Sequence, residues 1–158
     1  MRIRDLFEKW GLTGLKVKLG ILEADWAPSD LDKDAAWDLY VELLTRVATQ
    51  RLAEPEGTEE AALDSIHRLF DLTRATLKSK GRKAEGFTKI AVIVLNQVVR
   101  PFTAKWHKIS TDGGFSDQKT CQEFRLELAK VQDNLRAYTQ LLADLADVED
   151  LTDMECER

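Results

Sequence analysis

This chain of 158 residues is 44% hydrophobic and 32% charged, and its formal net charge is −5. The length suffices to bury a core without disulfide or metal cross-links, and the composition is neither that of a disordered chain nor that of a membrane protein. The longest apolar run, residues 90–95, is far shorter than the roughly 20 residues of a membrane span. Two cysteines, Cys121 and Cys156, do not make a disulfide framework. We therefore expect a cytoplasmic protein with no membrane span.

The N-terminal region combines two different periodicities. The first ten residues predict a short amphipathic helix, because their apolar members share one helical face. The following apolar residues alternate with polar residues or glycine, which is typical of a strand. These alternating positions are Leu15, Val17, Leu19 and Ile21. A single strand needs partners for its backbone groups, so we expect either an extended strap across the helices or an assembly strand that pairs with another chain.

The next two helices are predicted from capping residues and a breaker. Ser29 provides an N-cap for a helix that we expect to run to about Gln50. Residues 54–57 contain proline and glycine, so we expect a turn that ends the helical pattern. Thr58 then caps a second long helix, which ends near Lys80. Helices joined by so short a turn pack antiparallel.

The third long helix is predicted to start near Phe87, where apolar residues hold a 3.6-residue period as far as Phe102. Residues 90–95 are rich in β-branched side chains, so a buried strand is the alternative for this run. Pro101 lies inside the helical pattern. Because proline lacks a backbone donor, we expect a kink or a break there.

The longest regular pattern runs from Ser116 to Ala146, where apolar residues recur at alternating steps of three and four. The positions of this seam are Cys121, Phe124, Leu128, Val131, Leu135, Tyr138, Leu142 and Leu145. Such a stripe must be covered by other helices. The sequence thus predicts an all-α, single-domain antiparallel bundle of four long helices, with a short N-terminal helix and an extended N-terminal strap or strand. The domain spans residues 1–148, and residues 149–158 form an acidic flexible tail.

The stretch RPFTAKWH, residues 100–107, carries the strongest candidate for chemistry. An arginine followed by six residues and a histidine resembles the R-x(4 to 6)-H signature of HEPN-domain ribonucleases, which are small helical bundles. The resemblance implies metal-independent cleavage of RNA across a homodimer, with Arg100 and His107 contributing to the composite site. In such a reaction an imidazole moves the proton of a ribose hydroxyl, and a guanidinium stabilises charge on the phosphate.

Two other interpretations of this stretch remain open. Its aromatic residues lie four apart and would pack against a neighbouring helix, which gives the histidine a structural role. Alternatively, the stretch forms a contact surface for a protein or a phosphate group, because arginine and tryptophan are enriched at binding hot spots. The residues of this predicted contact surface are Arg100, Lys105, Trp106, His107 and Lys108.

No metal or cofactor motif is recognisable. Asp30, Asp32 and Asp34 begin like a calcium loop, but Ala35 stands where that loop requires glycine. These acids fit the start of a helix better. His67 has no second ligand at a defined spacing, so we expect a histidine in the core or at its boundary. We therefore expect no metal and no cofactor.

The charges are unevenly distributed. Residues 78–108 contain eight lysines and arginines against the single acid Glu85, whereas the chain is mostly acidic from Asp144 onward. We expect a non-enzymatic adaptor subunit of a larger intracellular complex, which binds a protein partner or another copy of itself. The alternatives are the ribonuclease, and a module that binds anions or nucleic acid through residues 78–108.

Overall fold

A computed structural model of the chain describes residues 1–12, 14–16, 19–46, 49 and 57–155. Helix accounts for 78% of the structure, and the described residues contain no strand, so the predicted all-α class is confirmed. Residues 90–95 are helical, which excludes the alternative of a buried strand. None of the helices in these ranges is long and apolar enough to cross a bilayer.

Eight α-helices follow one another along the described ranges. They are α1 (Ile3–Lys9), α2 (Leu19–Glu23), α3 (Asp30–Leu44), α4 (Glu59–His67), α5 (Leu69–Lys80), α6 (Glu85–Val94), α7 (Arg100–Thr111) and α8 (Gln118–Ala146). A π-helical turn, Leu95–Val99, joins α6 to α7, and 3₁₀ turns lie at Gly114–Ser116 and Thr152–Glu155. The helix predicted to reach about Gln50 ends at Leu44. Residues 47, 48 and 50–56 lie outside the described residues.

The starts of α3 and α6 are joined by one buried carboxylate. Ser29 caps α3, and its backbone N–H and hydroxyl both donate to Oδ2 of Asp32 at 2.9 Å. The other oxygen of Asp32 accepts the backbone N–H of Phe87, in the first turn of α6, also at 2.9 Å. Asp32 is only 2% exposed. The residue that the sequence assigns to a local helix start therefore also fixes α6 against α3.

The seam of α8 lies in the core, as its spacing predicts. The helix begins after Asp117, whose carboxylate accepts the backbone N–H of Thr120 at 3.0 Å. Seven of the eight seam residues are buried, and Cys121 is partly buried. The buried seam residues are Phe124, Leu128, Val131, Leu135, Tyr138, Leu142 and Leu145. Helix α3 packs along α8 and is its most extensive neighbour.

The packing of α5 leaves an opening in the surface. Helix α3 packs against both α5 and α6, and α4 packs against α7. Within the described residues, no comparable packing joins α5 to α6. Because α5 stands apart from α6 while both rest on α3, a groove remains between α5 and the continuous rod formed by α6, the π turn and α7.

Within the described residues, the strand predicted near the N-terminus is not formed. Its positions are Leu15, Val17, Leu19 and Ile21. Residues Leu19–Glu23 form α2 instead, Leu15 has no regular secondary structure, and Val17 lies outside the described residues. Both backbone groups of Lys16 bond to the side-chain amide of Gln97, with Lys16 N–H to Oε1 at 2.6 Å and Nε2–H to Lys16 O at 2.5 Å. A side chain thus pairs with both backbone groups of Lys16.

The described part of the segment after α8 contacts the domain. The backbone N–H of Leu151 donates to the hydroxyl of Tyr40 at 2.8 Å. Arg136 donates to the carbonyl oxygen of Thr152 at 3.0 Å, and Thr152 is 3% exposed. Acidic composition alone did not reveal these contacts with α3 and α8. Residues 156–158 lie outside the described residues.

Candidate functional site

Pro101 determines how α7 joins α6. In a regular α-helix its ring would clash with the carbonyl group of Gln97, and its nitrogen has no hydrogen to donate. The backbone widens instead into the π turn, where the N–H of Arg100 donates to the carbonyl oxygen of Leu95. The sequence predicts a kink or a break at Pro101. The structure has a π turn there, and the helical backbone continues through it from α6 into α7. Such turns occur frequently at functional sites.

One face of α7 belongs to an aromatic cluster in the core. Trp106 is 1% exposed and meets Phe124 of α8 edge-on, with ring centroids 5.1 Å apart. Phe102 and Phe115 complete the cluster, at 5.5 Å and 5.0 Å from the ring of Phe124. Phe102 and Trp106 therefore have the structural role that their four-residue spacing indicates.

The predicted contact surface is divided between two sides of α7. Trp106 donates its indole N–H to Glu127 of α8 at 2.9 Å, and Lys105 forms an ion pair with the same carboxylate. Burial opposes ionisation of Glu127, but the hydrogen bonds from Lys105 and Trp106 outweigh this effect and lower its pKa. Trp106 is thus part of the core and Lys105 is neutralised within the chain, while Lys108 is exposed.

Arg100 and His107 lie on the other side of α7, where they line the groove beside α5. The groove has a volume of about 510 Å³. Its polar side chains come from three helices and the π turn. They are His67, Thr73, Arg74, Asn96, Arg100, Thr103 and His107. Among the residues that the structure describes, no aspartate or glutamate lines the groove.

The two histidines of the chain meet at one end of the groove. The ring centroids of His67 and His107 are 4.8 Å apart, and the rings meet edge-on. His67 is the last residue of α4 and is exposed, whereas His107 is half-buried in α7. The sequence interpretation assigned His67 to the core or its boundary. The contact between the two histidines could not be predicted from the sequence, because nothing in their separation of 40 residues indicates it.

Arg100 is held in a defined orientation. Its guanidinium lies over the ring of Phe70, 5.0 Å from the centroid, and its Nε donates to Oδ1 of Asn96 at 3.0 Å. Neither Nη group has a hydrogen bond within the described ranges. Arg74 is the second guanidinium of the groove, and it donates to Asp71, outside the lining, at 3.0 Å. The groove therefore carries a surplus of positive charge.

The rest of the basic stretch 78–108 is partly neutralised by acids of the same chain. Lys80 pairs with Asp38 of α3 at 3.1 Å, and Lys89 pairs with Glu85 at 2.8 Å. Exposed pairs of this kind contribute little to stability, but they reduce the net charge that a ligand meets. Lys78, Arg82, Lys83 and Lys108 of this stretch are exposed and lie outside the groove.

Similarity to known proteins gives no information about the role of the groove. Comparison of the chain with protein-family models, with curated proteins and with solved structures found no match. The resemblance to HEPN ribonucleases therefore rests on the spacing of Arg100 and His107 alone. In the described part of the chain, no group of three histidine, cysteine, aspartate or glutamate side chains is arranged to hold a metal ion.

Proposed function

We propose that this chain is a non-enzymatic interaction module of a larger intracellular complex, and that it recognises a phosphate-bearing partner through the groove between α5 and α7. The observation that carries the proposal is the convergence of two imidazoles and two guanidiniums on one groove, with no carboxylate among its described lining residues. The imidazoles belong to His67 and His107, and the guanidiniums belong to Arg74 and Arg100.

The chemistry of these groups suits a phosphate. A guanidinium presents parallel N–H donors that match two phosphate oxygens, and bonds between charged groups are the stronger class of hydrogen bond. Arg100 is already oriented by Phe70 and Asn96, so less side-chain freedom is lost when a ligand binds. The imidazoles of His67 and His107 add donors next to it.

Titration with inorganic phosphate, followed by NMR, tests the site directly. We expect Arg100→Gln to weaken binding about tenfold, as loss of one charge-assisted hydrogen bond predicts. Arg82→Gln is the matched control, because Arg82 is exposed and lies outside the groove. Equal binding by wild type and Arg100→Gln would contradict the proposal.

Purification from the source cell at native level tests the interaction role. A stoichiometric partner that accompanies wild type and Arg82→Gln, but not Arg100→Gln, supports a complex held through the groove. A partner that is retained equally by all three proteins assigns the contact to another surface.

The proposal extends to the architecture and location. We propose that four helical rods pack antiparallel, namely α3, α4 with α5, α6 with α7, and α8. The arrangement is supported by the short connections between α5 and α6 and between α7 and α8. A cytoplasmic location agrees with the cysteine usage of the sequence.

Metal-independent ribonuclease activity is a second candidate, and the contact between His67 and His107 favours it. One imidazole would accept the proton of the ribose 2′-hydroxyl as its oxygen attacks the phosphorus. The other would donate a proton to the departing 5′-oxygen, and Arg100 would stabilise the negative charge on the phosphate. His67 thus supplies a second acid–base group that the sequence motif does not contain.

Incubation of RNA with the purified protein and a metal chelator tests this candidate. We expect cleavage by wild type, and a loss of at least about 100-fold in rate for His67→Asn and for His107→Asn, the usual contribution of one acid or base. Both variants should still bind inorganic phosphate through Arg100. Absence of cleavage of single-stranded and hairpin RNA by the wild type would refute the ribonuclease and leave the binding role intact.

A further inference from the structure

The groove changes in character along its length. His67, at the end of α4, faces His107, and Phe70, at the start of α5, faces Arg100. The chain from α4 into α5 therefore runs opposite to the rod of α6 and α7 along the groove. Residues further along α5 therefore lie opposite residues nearer the start of the rod. The cationic end is followed by a predominantly apolar end.

Three aliphatic residues form the apolar end. They are Leu77 of α5, Val92 of α6 and Leu95 of the π turn. Val92 is 41% exposed, whereas five other residues of α6 are buried. Apolar surface that borders a polar site is a common feature of small-molecule sites. A phosphate alone would leave this surface in water.

The dimensions limit what can occupy both ends. From Phe70, which contacts Arg100, to Leu77 is seven residues, or roughly 10 Å along α5 at 1.5 Å per residue. The volume of about 510 Å³ lies within the range of about 300–1,000 Å³ for small-molecule sites.

Asn96 lies between the two ends of the groove. Its oxygen accepts a hydrogen bond from Arg100, and its amide nitrogen has no partner within the described ranges. This nitrogen is available to donate to a ring nitrogen, a ring carbonyl or a ribose oxygen of a ligand.

We infer that the groove binds a nucleoside monophosphate, with the phosphate at Arg100 and the two histidines and the base against Leu77, Val92 and Leu95. The inference rests on the phosphate recognition proposed above and adds the chemical class of the ligand. A planar base covers the short apolar end and offers polar edge atoms to Asn96. A long alkyl chain would extend beyond these three side chains into water, because the groove is open.

Calorimetric titration of the full chain with four probes tests the inference. The probes are adenosine 5′-monophosphate, ribose 5-phosphate, adenosine and octyl phosphate. We expect the nucleotide to bind about tenfold more tightly than each of the other three, because they lack the base, the phosphate and the planar ring respectively.

Two variants separate the two ends of the groove. Arg100→Gln should weaken the binding of the nucleotide and of ribose 5-phosphate alike. Val92→Ser should weaken the nucleotide about fivefold, because less apolar surface then covers the base, and leave ribose 5-phosphate unchanged. Val41→Ser is the matched control, because Val41 is an exposed helical valine outside the groove, with 37% exposure.

The outcomes distinguish this inference from the proposal on which it rests. Ribose 5-phosphate or octyl phosphate binding as tightly as the nucleotide, or Val92→Ser behaving like Val41→Ser, would overturn nucleotide recognition and leave phosphate recognition in place. Failure of every phosphate compound to bind would overturn both.

Discussion

Substitution of Asp32 by alanine should be one of the most destabilising changes at any polar residue of this chain. The change removes the two hydrogen bonds from Ser29 and the one from the backbone N–H of Phe87. Phe87 is completely buried, so its N–H would lose its partner in a place that water does not reach. The start of α3 and the position of α6 are both affected.

The expected magnitude follows from these three bonds. Loss of the two bonds that Ser29 donates to Asp32 costs about 0.5–2 kcal/mol, the range of a helix-capping interaction. Loss of a charged acceptor from a buried N–H costs about 1.5–3 kcal/mol. We therefore expect Asp32→Ala to lower the free energy of unfolding by roughly 2–5 kcal/mol, a large part of the 5–15 kcal/mol that is typical of a domain. Asp32→Asn should cost less, because its oxygen can still accept the N–H of Phe87.

Urea unfolding followed by far-ultraviolet circular dichroism measures the effect. Asp30→Ala is the matched control, because Asp30 is an exposed acid in the same first turn and acts only through the helix dipole, worth about 0.3–1 kcal/mol. If Asp32→Ala is no more destabilising than Asp30→Ala, the long-range bond to α6 does not carry the energy assigned to it here.

Three further predictions concern α8 and are measured by urea unfolding. Leu135→Ala should lower the free energy of unfolding by about 2–5 kcal/mol, because the side chain is 1% exposed at the middle of the seam. Tyr138→Phe should raise it by about 1 kcal/mol, because the buried hydroxyl of Tyr138 has no hydrogen-bond partner in the described part of the chain. The pKa of Glu127 is lowered from 4.5 in the folded chain, so the stability that it supplies is present above pH 4.5 and is lost as the pH falls through its folded pKa. The stability difference between wild type and Glu127→Gln should therefore shrink between pH 7 and about pH 3.

Exposed residues of the same helix provide the controls. Leu126 is 69% exposed, so Leu126→Ala should change stability by less than about 0.5 kcal/mol. A similar loss for Leu126→Ala and Leu135→Ala would contradict the assignment of the seam. A Tyr138→Phe variant less stable than wild type would mean that the hydroxyl is hydrogen-bonded in solution. Glu123→Gln, at an exposed position of the same helix, is the matched control for Glu127→Gln.

The parts of the fold that follow from local pattern could be predicted from the sequence. The seam of α8 lies on a helix of 29 residues. An apolar pattern that repeats regularly over this length defines one helix face that must be buried. The alternation between Leu15 and Ile21 is too short to decide between strand and helix. Whether such a segment becomes a strand depends on a partner, and here the side chain of Gln97, 81 residues away, bonds to Lys16 instead.

The candidate site could be predicted only in part. Arg100 and His107 lie seven residues apart on one helix, so their common face is a local property. His67 and Arg74 reach the same groove only because α4 packs on α7 and α5 stands apart from α6. The burial of Trp106 likewise depends on Phe124, which no local spacing relates to it.

The contact between α1 and the end of α8 sets an order of events during synthesis. Lys9 and Trp10 both bond to the carboxylate of Asp144, at 2.7 Å and 3.0 Å, and 135 residues separate Lys9 from that acid. Burial raises the pKa of Asp144, but the hydrogen bonds from Lys9 and Trp10 exceed that effect and lower it overall. A ribosome adds Lys9 and Trp10 long before it adds Asp144, so both side chains lack this partner while residues 11–143 are synthesised. The link between α1 and α8 therefore forms only after nearly all of α8 has been added to the chain.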